Sequence, residues 1–211
     1  MHEPLKNITI LDLTHVLAGP FSSMILADLG AYVIKIEQPE VGDSSRYSGP
    51  FLDGESSYFT SINRGKLGMT LDLSKPSGKR TFLQMVEKAD VVLENLRPGV
   101  MKKLGINYEA LKSVNPSLIY TAISGFGQTG PNFDRPALDV IVQGMGGVLS
   151  ITGEPGGPPI RPGVSQGDIT AGLFAVIGTL AALQERSVSG EGQMVDISML
   201  DCQVAILENA F

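Results

Sequence analysis

A single cysteine, Cys202, and two histidines, His2 and His15, are all that 211 residues contain of these types. One cysteine cannot close an internal disulfide, and its place inside a helical pattern reads as a small core residue. Two histidines without H-x-x-x-H spacing leave no metal-ligand constellation, so no metal is expected. Basic charge is also scarce. A net charge of −6 leaves no surplus of Lys and Arg to neutralise a phosphate backbone, so no nucleic-acid partner is expected. The start, Met1 to Lys6, lacks an apolar signal core. The longest apolar run, Ile169 to Leu183, is broken by Thr170, Gly172 and Gly178, and reads as too short to span a bilayer. With no membrane partner and no disulfide, the expectation is a soluble cytoplasmic protein. A composition of 43% hydrophobic and 18% charged residues fits that class. The length suffices for one sizeable core, or for one domain with part of another.

Strand and helix patterns alternate along the chain. Ile8 to Leu13 is a β-branched run. Gly19-Pro20 opens a helix to about Leu29, with Pro near its first turn. Gly30 ends it, and Ala31 to Ile36 is a second strand, which completes a βαβ unit. Pro39 to Gly54 reads as a surface loop. Strands follow at Met69 to Leu73, Asp90 to Leu93, Ser117 to Ile123 and Met194 to Ile197. Helices are expected over Pro76 to Lys88, Pro98 to Leu104, Tyr108 to Val114, Ala137 to Leu149, Ile169 to Leu183, and from Ser198 to the end. This alternation predicts an α/β fold: a Rossmann-like parallel sheet with helices on both faces. Ligands on such sheets sit beyond the C-terminal strand ends, here the loops after Leu13, Leu73, Leu93 and Ile123. The chain stops at Phe211 inside an apolar helical pattern, which suggests a fragment or one piece of a larger assembly.

Asp168 is the candidate for chemistry. It follows the loop Arg161 to Gly167 and precedes the long apolar helix, so it reads as an N-cap. Unpaired backbone N–H groups and the positive end of the helix dipole should keep it ionised. An ionised, positioned carboxylate can act as a nucleophile, although a plain cap is the structural alternative. No G-x-S-x-G elbow is present, and so few histidines leave covalent chemistry to a carboxylate.

Other motifs carry less. Gly125-Phe-Gly127-Gln-Thr-Gly130 matches G-x-G-x-x-G after a strand, but Pro131 and Pro136 forbid a helix inside it. Ser150 and Ile151 stand where a ribose-binding acid is wanted, so a nicotinamide-dependent oxidoreductase is set aside. The turn His15 to Pro20 offers backbone N–H groups to a phosphate or an acyl oxygen, or is simply a tight turn. Arg64, Lys66 and Lys75 around one strand, and Arg97, Lys102 and Lys103 after another, read either as a clamp for a polyanionic small ligand or as solvated charge. Asn95 could read an amide or a base edge.

Six blocks in order carry a resemblance: Leu11 to Pro20, Leu29 to Glu37, Val92 to Gly99, Ile123 to Pro131, Gly163 to Asp168, and Gly190 to Ser198. Together they resemble the class III CoA-transferase family (CaiB/BaiF type). That family includes the formyl-CoA transferases, the crotonobetainyl/carnitine CoA-transferases and the related α-methylacyl-CoA racemases. The resemblance implies an acyl-CoA:carboxylate CoA-transferase whose nucleophile is Asp168. Its substrates would be an acyl-CoA and a small carboxylic acid, with coenzyme A carried in that substrate. CoA contacts carried over by position are Leu17, Ala18, Leu71, Asp72, Leu73, Ser74, Asn95, Leu96, Arg97 and Lys103. Residues 1–211 would be the N-terminal portion of the large CoA-binding domain, without the small domain and the return of the chain. A homodimer of interlocked chains, or a complementing chain, would complete the site. Three positions depart from the pattern. Leu17 replaces a glutamine and Gln38 an arginine of the formyl-CoA transferases, against formyl and oxalate as the acid pair. Leu138 replaces the histidine that pairs with the aspartate in the racemases, so epimerisation lacks one base. An acyl-CoA isomerase, and an inactive truncated CoA-binding subunit, are the alternatives.

Overall fold

A computed structural model of the chain describes residues 2–210. Six strands form one sheet in the order β5-β2-β1-β6-β7-β8. They are β1 (Thr9–Asp12), β2 (Tyr32–Glu37), β5 (Leu67–Thr70), β6 (Val91–Glu94), β7 (Ile119–Ser124) and β8 (Met194–Ser198). Every pairing in it is parallel. The α/β architecture expected from the alternating pattern is therefore present. Parallel strands are covered on both faces, so their inner residues are apolar almost without alternation. On one face Leu11, Val92 and Tyr120 pack under α3 (Pro76–Val86) and α5 (Tyr108–Val114), with Phe82 and Leu111 as the buried contacts. On the other, Ile10, Val91, Leu93 and Ile119 pack under α1 (Ala18–Asp28) and α7 (Gln166–Ser189), through Leu26 and Val176. A third cluster joins α7 to α6 (Asp139–Met145) and α8 (Met199–Ala205) through Val142, Ala171, Ala175 and Cys202. The cysteine is buried, as its helical position implied.

Several boundaries differ from the sequence reading, each for a local reason. The third predicted strand lies earlier, at Leu67–Thr70. Leu71 donates one last ladder bond to the Glu37 carbonyl (2.9 Å). Asp72 then turns the chain by accepting from the Ser74 N–H (3.0 Å) and hydroxyl, an Asx turn that no strand continues through. The expected loop Pro39 to Gly54 holds a 3-10 helix, Ser44–Tyr47, and leads into a hairpin of β3 (Phe51–Leu52) and β4 (Glu55–Ser56). An unexpected helix, α2 (Ser57–Asn63), follows, its N-terminus capped by the Ser56 hydroxyl, which accepts from the Phe59 N–H (3.1 Å). The helix expected over Ala137 to Leu149 is split. α6 ends at Met145 with Gly146 as its C-cap, and Gly147, at φ 91, starts a 3-10 turn over Val148–Ile151, a backbone angle that L-side chains avoid. The last helix ends at Ala205, and Phe211 lies outside the described residues.

The greatest difference is α7. It runs 24 residues from Gln166, so Asp168 is inside its first turn and Ser165 is the cap position. By length and composition it could cross a membrane, contrary to the shorter stretch inferred from sequence. In this fold one side of it lies on α1, β7 and β8. Gly172 permits that approach, since a Cβ there would stand 2.9 Å from the Ala18 carbonyl oxygen. Its other side leaves Leu173, Ile177 and Val188 exposed.

A buried lattice of charges lies beneath the loop between β1 and α1. Lys66 pairs with Asp12 at 3.1 Å, and Lys35 pairs with Asp43 at 2.9 Å, all four side chains being almost fully enclosed. Burial alone would raise the Asp12 pKa, but the Lys66 and Lys35 ammonium groups, with the Ser23 and Thr14 hydroxyls, hold it below its usual range. Lys35 also donates to the Thr14 carbonyl (2.7 Å), and Lys66 to the Pro20 carbonyl (3.0 Å). Of the two readings open for Lys66 and Arg64, the ligand clamp is corrected by these pairings. Lys66 is consumed inside the fold, and Arg64 pairs with Asp28. Removing one partner of such a pair strands a charge in a water-free interior. Lys66→Met should therefore lower the unfolding free energy by about 3–5 kcal/mol in urea titration. A loss under about 0.5 kcal/mol would show that the lattice does not hold the fold.

Candidate active site

β1 is the point where strand order reverses, with β2 and β5 to one side and β6, β7 and β8 to the other. The crevice between the C-terminal ends of β1 and β6 is where an open parallel sheet binds ligands. Two loops meet there. Asn95 closes the junction with a reciprocal pair of hydrogen bonds. Its Oδ1 accepts from the His15 N–H (2.9 Å) and its Nδ2 donates to the His15 carbonyl (2.9 Å). The amide is therefore engaged with backbone, and the expectation that it reads a ligand amide or base edge is corrected. The next residue, Val16, is held at φ 68, with its N–H donating to Asp43 Oδ1 (3.1 Å). The lattice below and the Asn95 clamp above together enforce an angle that a β-branched residue otherwise avoids.

Three cavities run together along this edge. The largest, of about 500 Å³, is walled by Leu13, His15, Gln38, Leu71, Asp72, Leu73, Ser74 and Leu96, among others. A second, of about 340 Å³, shares Leu73, Ser74 and Leu104 with it and adds Lys75, Lys79 and Lys103. A third, of about 200 Å³, shares His15 and Leu96 with the first and reaches Asp168, with Ala18, Asn95, Arg97, Arg135 and Leu138 in its wall. Nine of the ten residues carried over as CoA contacts thus line this run of adjoining cavities, which has lysines at one end and a mix of Asp168, Asp139, Arg97 and Arg135 at the other. Leu17 does not line it. It is buried at the N-cap of α1. Gln38 also lies on the groove. Among the described residues, no cluster of His, Cys, Asp and Glu could hold a metal.

The electrostatics of Asp168 differ from the sequence expectation. The cap of α7 is the carboxylate of Asp139, which reaches across from α6. Its Oδ1 accepts from the Gly167 N–H (2.8 Å) and the Asp168 N–H (3.4 Å). Its Oδ2 accepts from Gln143 (2.7 Å) and Arg161 (3.0 Å). Asp139 therefore caps the helix that bears Asp168, not the helix it begins. The Asp168 side chain is left without a cap role and faces a neighbouring negative charge. Burial raises its pKa, Asp139 raises it further, Arg161 opposes both, and the result is about 6. It remains mostly ionised at pH 7, but as a more basic and less solvated carboxylate than a cap would be.

Sequence reasoning missed three further groups. Tyr58, on the unexpected α2, is close enough to feel the charge of Asp168. Burial, then Asp168 and Asp43, push its hydroxyl pKa up. Glu94 is a buried acid at the end of β6. The lysine in the middle of the apolar strand β2, Lys35, was the one visible sign of the charge lattice. His15 is half-buried at the neck between two cavities. Burial chiefly depresses its pKa, with Lys35 acting the same way and Asp43 and Asp12 opposing, so its imidazole is neutral at pH 7.

The sequence matches CoA-transferase family III over residues 5–211. The chain belongs to that family. It is 49% identical over 208 residues to the acetyl-CoA:oxalate CoA-transferase of Acetobacter aceti, covering 98% of this chain and 54% of that protein. It is 44% identical over 206 residues to the succinyl-CoA:glutarate CoA-transferase of Mus musculus, covering 97% and 47%. The crystal structure of a CAIB/BAIF family protein from Brucella suis matches with a TM-score of 0.94 at 42% identity, covering 99% of this chain and 56% of that one. The chain spans about half the length of the curated relatives it matches.

The sign of the Asp139 effect is testable without turnover. Asp139→Asn keeps an acceptor for the α7 N–H groups but removes the charge facing Asp168. In a carbon-13 titration of labelled aspartate, the Asp168 carboxyl should titrate near pH 6 in the parent chain and at lower pH in the variant. A midpoint that stays in place, or moves upward, would contradict the assignment.

Proposed function

We propose that the protein moves coenzyme A between a thioester and a free carboxylic acid, with Asp168 as the nucleophile. The observation carrying this reading is the groove that runs from the Lys75, Lys79 and Lys103 cluster to Asp168. A ligand with a polyanionic end and a long uncharged arm suits such a groove, and acyl-CoA is one. The lysines would meet phosphates. The apolar wall of Leu71, Leu73 and Leu96 would take the adenine and the upper arm, and the thioester would reach the small pocket.

The chemistry balances in four steps. The Asp168 carboxylate attacks the thioester carbonyl, which breaks the C–S bond, gives an aspartyl anhydride and frees the CoA thiolate. The thiolate attacks the aspartyl carbonyl of that anhydride, releasing the first acid and leaving an aspartyl-CoA thioester. The second acid's carboxylate attacks this thioester, forming a new anhydride and the thiolate again. Thiolate attack on its acyl carbonyl then yields the new acyl-CoA and restores Asp168. The covalent link conserves the thioester's free energy while the acids exchange. A carboxylate of pKa near 6 suits the first step, being ionised at pH 7 yet more nucleophilic than an ordinary aspartate. The anhydride needs a dry site, so we infer that the rest of the protein, or a second copy of the chain, covers the Asp168 pocket.

The acid is read here as dicarboxylic. Arg97 and Arg135 line the Asp168 pocket, and neither belongs to any ion pair among the described residues. A second carboxylate would supply their counter-charge. The names of the similar proteins, with oxalate and glutarate as acids, support the same class. Epimerisation is the weaker reading because Leu138, an exposed apolar residue in the pocket wall, brings no proton acceptor.

The test is exchange of label between an acyl-CoA and a panel of mono- and dicarboxylates by the full-length protein. Exchange favouring dicarboxylates, and lost by at least about a thousand-fold in Asp168→Asn, is expected. Undiminished exchange in that variant, or α-proton exchange with no transfer, would overturn the reading.

A further inference from the structure

Glu94 ends the central strand β6 and is only 3% exposed. It belongs to none of the ion pairs among the described residues. Its two oxygens are both used. Oε2 accepts from the Leu96 N–H (2.7 Å), and Oε1 accepts from the Tyr120 hydroxyl (3.1 Å). Asp196 on β8, whose charge acts on it, is also negative. A buried acid with no cation is costly as a charge, so its value to the fold must lie elsewhere.

Its position indicates where. The residue that it grips, Leu96, is shared by the large cleft and the Asp168 pocket. On one side of Leu96, Asn95 clamps the His15 loop. On the other, Arg97 and Pro98 form part of the Asp168 pocket wall. We propose that Glu94 is a positioning residue for acyl-CoA, its carboxyl group fixing the Asn95–Pro98 turn at the place where the nucleotide cleft and the Asp168 pocket meet. The proposal rests on the CoA-transferase reading given above.

The hydrogen bonds, not the charge, do this. Burial pushes the Glu94 pKa up to about 7, against the Leu96 N–H and the Tyr120 hydroxyl, while Asp196 adds to the rise. The protonated form keeps both contacts. One oxygen still accepts from Leu96, and the new O–H donates to the Tyr120 oxygen. A glutamine can keep the same two contacts, its Oε1 accepting from the Leu96 N–H and its Nε2 donating to the Tyr120 oxygen. An aspartate is one methylene short and cannot hold both partners.

The experiment measures CoA affinity by calorimetry in the full-length protein, and separately the rate of Asp168 modification at saturating acyl-CoA. Glu94→Ala should weaken CoA binding roughly ten-fold or more, the effect of stranding a buried N–H. Glu94→Gln should bind within about three-fold of the parent. The saturated rate should change little in either. If Glu94→Ala does not fold, Glu94→Asp replaces it, and should bind more weakly than Glu94→Gln. Equal affinity in the parent and in Glu94→Ala or Glu94→Asp would overturn the proposal, as would a Glu94→Gln as weak as either. A parent protein that binds no CoA at all would remove the CoA-transferase reading and this proposal with it. A parent that binds CoA beside variants that bind equally well would remove this proposal alone.

Discussion

A carboxylate reaching from one helix to the N-terminus of another sets the character of this site. Asp139 stands at the start of α6, yet its oxygens accept the N–H groups of Gly167 and Asp168 at the start of α7. Helix ends leave such donors unpaired, and an acid there also meets the positive end of the dipole. Because Asp139 fills that role, Asp168 is left free of it. One negative charge thus ties the starts of two helices together and makes the adjacent carboxylate more basic. Arg161, bonded to the same Asp139, limits the rise. The raised pKa of Asp168 is therefore a consequence of how α7 is capped.

The rest of the site is built by over-determination of loops. Parallel strands bring β1 and β6 side by side, which fixes where the crevice lies but not the shape of its rim. The rim is shaped by polar groups taken out of water. Lys35 and Lys66 tie the His15 loop from below, Asn95 ties it from the side, and Glu94 ties the facing turn. Each interaction is expensive to bury, and each is matched by partners with little freedom to move. Val16 keeps a left-handed backbone only because these ties agree. Buried charges thus hold the rim of a groove whose wall includes Leu13, Leu71, Leu73, Leu96 and Leu104.

The sheet was legible in the sequence because parallel strands announce themselves as short β-branched runs between helices. Asp168 was legible because a loop gives way to a long apolar helix beside it. Its electrostatics were not, since Asp139 lies far away in sequence and the partner of a cap cannot be read from spacing alone. The boundary of β5 slipped because Leu71 and Leu73 look like strand residues but belong to the groove wall. The segment α2 was missed because its serines and aromatics resemble a loop until Ser56 caps them. Lys66 fits neither of its two readings, ligand clamp or solvated charge. Nothing local distinguishes a lysine that will be buried against Asp12 from one left in water. Asn95 was placed at the right edge with the wrong task, since an amide that reads a ligand and one that pins a loop have the same sequence.

The central claim is that Asp168 itself bonds to the acyl group and then to CoA. Peptide mass mapping of the full-length protein, acid-quenched during turnover with an acyl-CoA and hydroxylamine, addresses it directly. The account requires the peptide containing Asp168, and no other acidic peptide, to carry the hydroxamate mass. An unmodified Asp168 peptide recovered while exchange proceeds would contradict it.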